Sequence, residues 1–98
     1  MSAEARLKEL GIDLPDAPKP VANYVPYVQS GNLLFVSGQV PAAMGDAAKG
    51  KLGSDLSVEE GQAIARGCGL AILAQVKAAV GSLDRVKRVV KLGGFVNC

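Results

Sequence analysis

The feature that most constrains this chain is the run 57–81, Ser57-Val58-Glu59-Glu60 followed by Ile64, Cys68, Ala71, Ile72, Gln75, Val76 and Ala79 and closed by Gly81. Ser57 and Glu60 stand three apart, so the serine side chain can accept from the third helical amide while the glutamate reaches back to the cap amide. Apolar residues at helical spacing then define one long amphipathic helix, and Gly81 is placed to stop it. Such a helix must lie on a partner surface to bury its stripe. Gly61, Gly67 and Gly69 each cost about 1 kcal/mol against alanine inside a helix, which predicts that something packs very close to it.

The partner surface is legible upstream. Residues 24–29, Tyr24-Val25-Pro26-Tyr27-Val28-Gln29, read as a strand. Pro26 has no N–H and belongs at an edge or strand start. Ser30-Gly31-Asn32 carries hairpin-turn chemistry, and residues 33–40 form the second strand. Downstream, residues 86–96 are rich in β-branched side chains and predict a third strand. The order strand, strand, long helix, strand puts one helix on one face of a three-stranded sheet and leaves the other face bare. Val89, Val90, Leu92, Phe95 and Val96 are too apolar for an exposed strand, which implies association or missing sequence.

The remaining segments organise around this unit. Ser2 caps a short helix ending near Leu10, with Gly11 as its stop. Leu14-Pro15-Asp16-Ala17-Pro18-Lys19-Pro20 is an extended connector, because three prolines exclude helix. Residues 1–20 are thus an N-terminal helix and linker, and residues 24–98 an incomplete core, of a single 98-residue domain. Residues 42–53, rich in Gly, Ala and Lys, read as an exposed loop with room for a short edge strand.

Composition excludes several chemistries. The chain has no histidine, so imidazole metal sites and His-assisted nucleophiles cannot be built within it. Its net charge of +2 does not by itself argue for nucleic acid or an anionic membrane. No run approaches a membrane span, and the charged N-terminus is unlike a signal peptide, so a soluble cytoplasmic protein is expected.

Three motifs reduce to plainer readings. Gly45-Asp46-Ala47-Ala48-Lys49-Gly50-Lys51-Leu52 falls one residue short of a phosphate-binding loop, with Leu52 where a magnesium-holding hydroxyl belongs. The next helix also starts too late for its amides to face a phosphate. Arg85, Lys87, Arg88 and Lys91 form a basic cluster without aromatic stacking partners, which reads as a solvated strand end. Cys68 reads as a packed small hydrophobe, and Cys98 lacks a partner at metal spacing.

The second strand ends unusually, in Phe35-Val36-Ser37-Gly38-Gln39-Val40-Pro41. Ser37, without a base, is a poor nucleophile but a capable hydrogen-bond donor, and Gly38 allows close approach to the backbone. A binding floor and a plain strand end explain this polar trio equally well.

The run Ser30-Gly31-Asn32-Leu33-Leu34-Phe35-Val36-Ser37-Gly38-Gln39-Val40-Pro41, with Tyr24 upstream, resembles the RidA/YjgF family, also labelled L-PSP endoribonuclease-like. Leu83-Asp84-Arg85-Val86-Lys87-Arg88-Val89-Val90 and Gly94-Phe95-Val96-Asn97 extend the similarity from about Leu7 onward. The N-terminal helix and connector look like those of a subgroup with such an extension. The resemblance implies an α+β, chorismate-mutase-like fold assembled as a homotrimer, with sheets inward, helices outward and sites in clefts between subunits. It implies hydrolysis of reactive enamines and imines, such as 2-aminoacrylate, to 2-keto acids and ammonia without metal or organic cofactor. Carried over by position, Tyr24 lines the pocket, Ser37 and Gly38 form its floor, and Gln39 shapes it.

The family pattern continues with a second helix and further strands. These carry an arginine for the substrate carboxylate and an acidic residue near the reacting centre. Arg6, Arg66, Arg85 and Arg88 match neither position, so the resemblance implies a fragment or a natural truncation, inactive as a deaminase by itself. A non-catalytic binding or assembly module of the same fold is the alternative, and RNA cleavage is a third reading that the weak charge and sparse aromatics support little.

Overall fold

The computed structural model describes residues 2–17, 23–40 and 48–98. Helix α1 spans Ala3–Glu9, strand β1 Tyr27–Ser30, strand β2 Leu33–Val36 and helix α2 Val58–Val80, and a 3-10 turn follows at Leu83–Arg85. β1 and β2 pair antiparallel, with Tyr27 opposite Val36 and Ser30 opposite Leu33. The two-residue loop Gly31-Asn32 has Gly31 at φ +59°, and no non-glycine described takes a positive φ. Glycine at the first central position alone fits a type II′ turn, whose twist matches the strands.

The long helix forms as its caps dictate. The Ser57 hydroxyl accepts from the Glu60 N–H at 3.1 Å, and the Glu60 carboxylate accepts from the Ser57 N–H at 3.0 Å. At the other end Gly81, at φ +87°, donates to the Lys77 carbonyl at 2.8 Å. Arg85 adds a bond from its guanidinium to the Val80 carbonyl at 2.8 Å, satisfying an acceptor the helix end leaves open. α2 packs against both strands and the 3-10 turn. Its buried face is made of small residues, with Ala71 and Ala74 inside beside Gln75, and Leu83 completes this core.

Among the described residues α2 is long and apolar enough to cross a membrane by length and composition, which corrects the expectation that no run approaches that length. The same test is passed by core helices, and α2 carries Arg66, Gln75 and Lys77 and seats a hairpin.

Several expectations shift. The first strand begins at Tyr27, not Tyr24, and follows Pro26 directly, where a residue without an N–H is tolerated. The second ends at Val36, so Ser37 to Val40 lie beyond the ladder. The third strand is corrected outright. Residues 86–98 form no strand, and among the described residues the sheet is two-stranded. β-branched composition supplies local preference only; a strand needs a neighbour for its amides. The far end of this segment is tied instead to the loop before α2. There Leu52 N–H donates to the Asn97 carbonyl at 2.9 Å, and the Asn97 side-chain amide donates to the Gly50 carbonyl at 3.2 Å. The edge strand allowed for within 42–53 reduces, in its described part, to an isolated bridge between Leu52 and Leu56. Residues 41–47 and 18–22 of the loop and connector lie outside the described residues.

The close approach predicted for α2's glycines holds at one of three. A Cβ on Gly61 would lie 2.6 Å from Leu52 Cδ2, whereas Gly67 and Gly69 face open space. Gly69→Ala is therefore expected to stabilise the chain by roughly 0.5–1 kcal/mol through helix propensity. Gly61→Ala, which must displace Leu52, is expected to gain less or lose. Thermal unfolding of the two variants side by side checks the order, and equal gains would contradict the Leu52 contact.

The capping box also has a pH signature. Glu60 is held below the ordinary glutamate range, first by the Ser57 N–H donating to its carboxylate and then by its interaction with the Ser57 side chain. A depressed native pKa gives stability that is complete above the unfolded value and fades as pH falls through the native one. Acid titration followed by circular dichroism should thus show helix loss below the usual carboxylate range, with a shallower dependence in Glu60→Gln.

Candidate functional site

β2 delivers Ser37 to the place where the hairpin ladder stops. The last paired residues are Tyr27 and Val36, and Ser37 then turns back on the residue preceding β1. Its N–H donates to the Pro26 carbonyl at 2.9 Å, and its hydroxyl donates to the same oxygen at 3.1 Å. One carbonyl thus uses both acceptor directions on one residue. The arrangement follows from the chemistry of proline. Pro26 gives the ladder no donor, but its carbonyl is unrestricted.

This geometry changes the expected role of Ser37. Its proton is committed to Pro26, so toward solvent the half-buried hydroxyl offers lone pairs and acts as an acceptor, not as the donor anticipated from sequence. Gln39 braces the same turn, its side-chain amide donating to the Ser37 carbonyl at 3.1 Å. Between them Gly38 is exposed, and a Cβ built on it would meet nothing within 4 Å. Its backbone is open to an approaching group.

Tyr24 is 44% exposed and lies two residues before the Pro26 carbonyl. No hydrogen bond joins it to Ser37 or Gln39 among the described residues. The structure therefore brings together Ser37, Gly38 and Gln39 and adds the Pro26 carbonyl, while Tyr24 remains at the margin. Sequence reasoning missed Pro26 as the anchor, although a proline at a strand start opposite a terminal serine was the available signal.

The near-match to a phosphate loop is closed to that use in its described part. The Lys51 N–H donates to the Asp55 carboxylate at 3.0 Å, and the Lys51 carbonyl accepts from Ser54, Asp55 and Leu56. An internal carboxylate holds the amide a phosphate would need. Residues 45–47 of that motif lie outside the described residues. No cluster of three potential metal-ligating His, Cys, Asp or Glu occurs among the described residues.

An α+β unit with a hairpin, a long covering helix and a polar turn at the strand end defines the class. Residues 4–98 match the family described as "YjgF/chorismate_mutase-like, putative endoribonuclease", and the chain belongs to that family. It is 56% identical over 94 residues to "Protein TCP17" of Trypanosoma cruzi, covering 95% of this chain and 59% of that protein. It is similar to the crystal structure of a "putative endoribonuclease" from Shewanella oneidensis, with a TM-score of 0.79 and 38% identity over 91% of this chain and 60% of the other. It is also similar to Atu1372 of Agrobacterium tumefaciens, a protein of unknown function, with a TM-score of 0.73 and 52% identity over 89% and 54%. The chain thus spans somewhat over half the length of these relatives.

Ser37→Ala removes one of the two bonds to Pro26 while keeping the backbone one. The expected cost is roughly 0.5–1.5 kcal/mol, typical of a single partly buried hydrogen bond. Urea unfolding checks it, and an unchanged midpoint would mean that the hydroxyl does not hold the turn.

Proposed function

We propose that this chain carries part of the site of an enamine/imine deaminase, which converts 2-aminoacrylate-type intermediates to 2-keto acids and ammonia. The observation that carries the reading is the braced turn Ser37-Gly38-Gln39, an acceptor hydroxyl beside an unobstructed glycine backbone, at the positions where the family resemblance puts the pocket floor. A protonated imine nitrogen or an attacking water would donate to the Ser37 oxygen, and the substrate would lie against Gly38, with Tyr24 closing one side. The enamine first tautomerises to the imine. Water then adds to the C=N carbon, and the resulting carbinolamine expels ammonia as the carbonyl forms. Positioning an already reactive group and steadying its charge is sufficient catalysis for such a step.

The carboxylate clamp implied by the resemblance has no counterpart in the described arginines. Arg6 pairs with Glu9, Arg85 caps α2, and Arg66 and Arg88 are exposed. The 98-residue chain alone is therefore expected to release keto acid no faster than the spontaneous reaction. A polypeptide carrying this sequence at the length of its relatives is expected to accelerate it. Within that protein Gly38→Val should lower kcat/KM about ten- to a hundred-fold by misplacing substrate, with stability unchanged because nothing crowds the position. Freshly generated 2-aminoacrylate with keto-acid detection is the assay. No acceleration by the longer protein would sink the deaminase reading.

RNA cleavage is the second reading, supported by the family's description and by the name of the Shewanella protein. Single-stranded RNA incubated with the same preparation separates the two.

The proposed assembly is a homotrimer with sites between subunits. Its support is the apolar surface left open, with Phe35, Val89, Val90, Leu92, Phe95 and Val96 exposed over a core as small as Ala71, Ala74 and Leu83. Light scattering on the longer protein is expected to give three copies, and a monomer would remove this part of the proposal.

A further inference from the structure

α1 buries no residue, yet it has a fixed place. What holds it is a clasp of carboxylates against the far end of α2. One Glu4 oxygen accepts from the Leu83 N–H at 2.9 Å and from the Ser82 hydroxyl at 3.3 Å. The other accepts from the Lys77 ammonium at 3.2 Å. In return the Glu4 N–H, one of the first-turn donors that a helix leaves unpaired, donates to the Asp84 carboxylate at 2.9 Å. Each segment therefore gives the other an anion and takes an amide. Apolar support is thin. Leu7, Ile12 and Leu14 are only half-buried and border an open groove against Ala74 and Ala78 of α2.

We propose that residues 2–17 form a detachable strap, closed by the reciprocal Glu4–Leu83 and Asp84–Glu4 contacts, whose release uncovers the buried Ala74 of α2 and frees Lys77 from its ion pair while the capped helix and hairpin stay folded. The two parts are held by different forces. α2 and the hairpin each carry their own backbone hydrogen bonds and pack on one another, whereas the strap is held by hydrogen bonds and an ion pair within reach of water, which salt and competing donors weaken. The charged groups around the clasp are of both signs, and Lys77 is the one paired with Glu4 across it. α2 presents Lys77, and the turn presents Asp84 and Arg85, the latter occupied by the Val80 carbonyl. α1 adds Arg6 and Glu9, paired with each other, and Lys8, and the connector adds Asp13 and Asp16 along the groove. Glu4 sits below the usual glutamate range, chiefly through the Leu83 N–H and then Lys77. The clasp is therefore complete above the ordinary carboxylate range and loosens as pH falls through the depressed native value.

Amide hydrogen exchange on the unaltered chain tests this directly. Residues 4–10 and Leu83 are expected to open through a lower-energy event than residues 71–76 of α2, and lower pH or added salt is expected to promote that event selectively. Glu4→Gln and Asp84→Ala should each raise strap opening roughly three- to ten-fold, with exchange in mid-α2 unchanged. Tryptic cleavage after Arg6 or Lys8 should accelerate in parallel. Strap and α2 amides opening together in the unaltered chain would overturn the proposal, as would variants that leave strap exchange unchanged.

Discussion

The capped helix α2 is the constraint to which every other described element is referred. Its first turn is fixed by the mutual bonds of Ser57 and Glu60, and its last by Gly81 and the Arg85 guanidinium. With both ends closed, its 23 residues behave as one rod. The hairpin lies on it, Leu52 enters the space left by Gly61, and Lys77 meets Glu4 of α1. The buried face is made from alanines, so neighbours come close but little apolar area is withdrawn from water.

That economy explains the contrast between order and burial. The structure has well-formed backbone ladders around a small core, and its radius of gyration of 14.5 Å exceeds the roughly 13 Å of a compact domain this size. The apolar side chains that a larger core would use stand outward on β2 and along residues 86–96. A surface of that kind is the usual mark of an interface, and it is the physical basis for proposing assembly here.

The candidate site draws its shape from the same logic of satisfied backbone groups. Pro26 cannot extend the ladder as a donor, so its carbonyl becomes the anchor on which Ser37 closes the hairpin's end. Closing the ladder there frees Gly38 from crowding and lets Gln39 fold back on Ser37. The polar trio that looks in sequence like an odd strand ending is thus the terminus of the sheet, and the proposed deaminase site uses the same residues as its floor. Both readings of Phe35-Val36-Ser37-Gly38-Gln39-Val40-Pro41 were open from sequence, and the geometry makes them compatible.

Local chemistry determined what the sequence could determine alone. Caps at Ser2, Ser57, Gly11 and Gly81, the Gly31 turn and the helical spacing of 57–81 act within a few residues of chain, so their signals are adjacent and legible. Family membership was legible for the same reason, carried by a contiguous motif. The tertiary structure alone decided whatever needed partners far apart. Residues 86–96 have strand composition, but strand formation requires a neighbour, and the segment is held by Asn97 on the loop at Gly50 and Leu52. Glu4 and Asp84 are ordinary surface carboxylates by sequence, separated by 80 positions, and become a clasp only because α2 carries the chain back to where it began. The Ser37 hydroxyl is engaged within the fold for a like reason, since it donates its proton to a carbonyl eleven residues earlier and is left with lone pairs toward solvent.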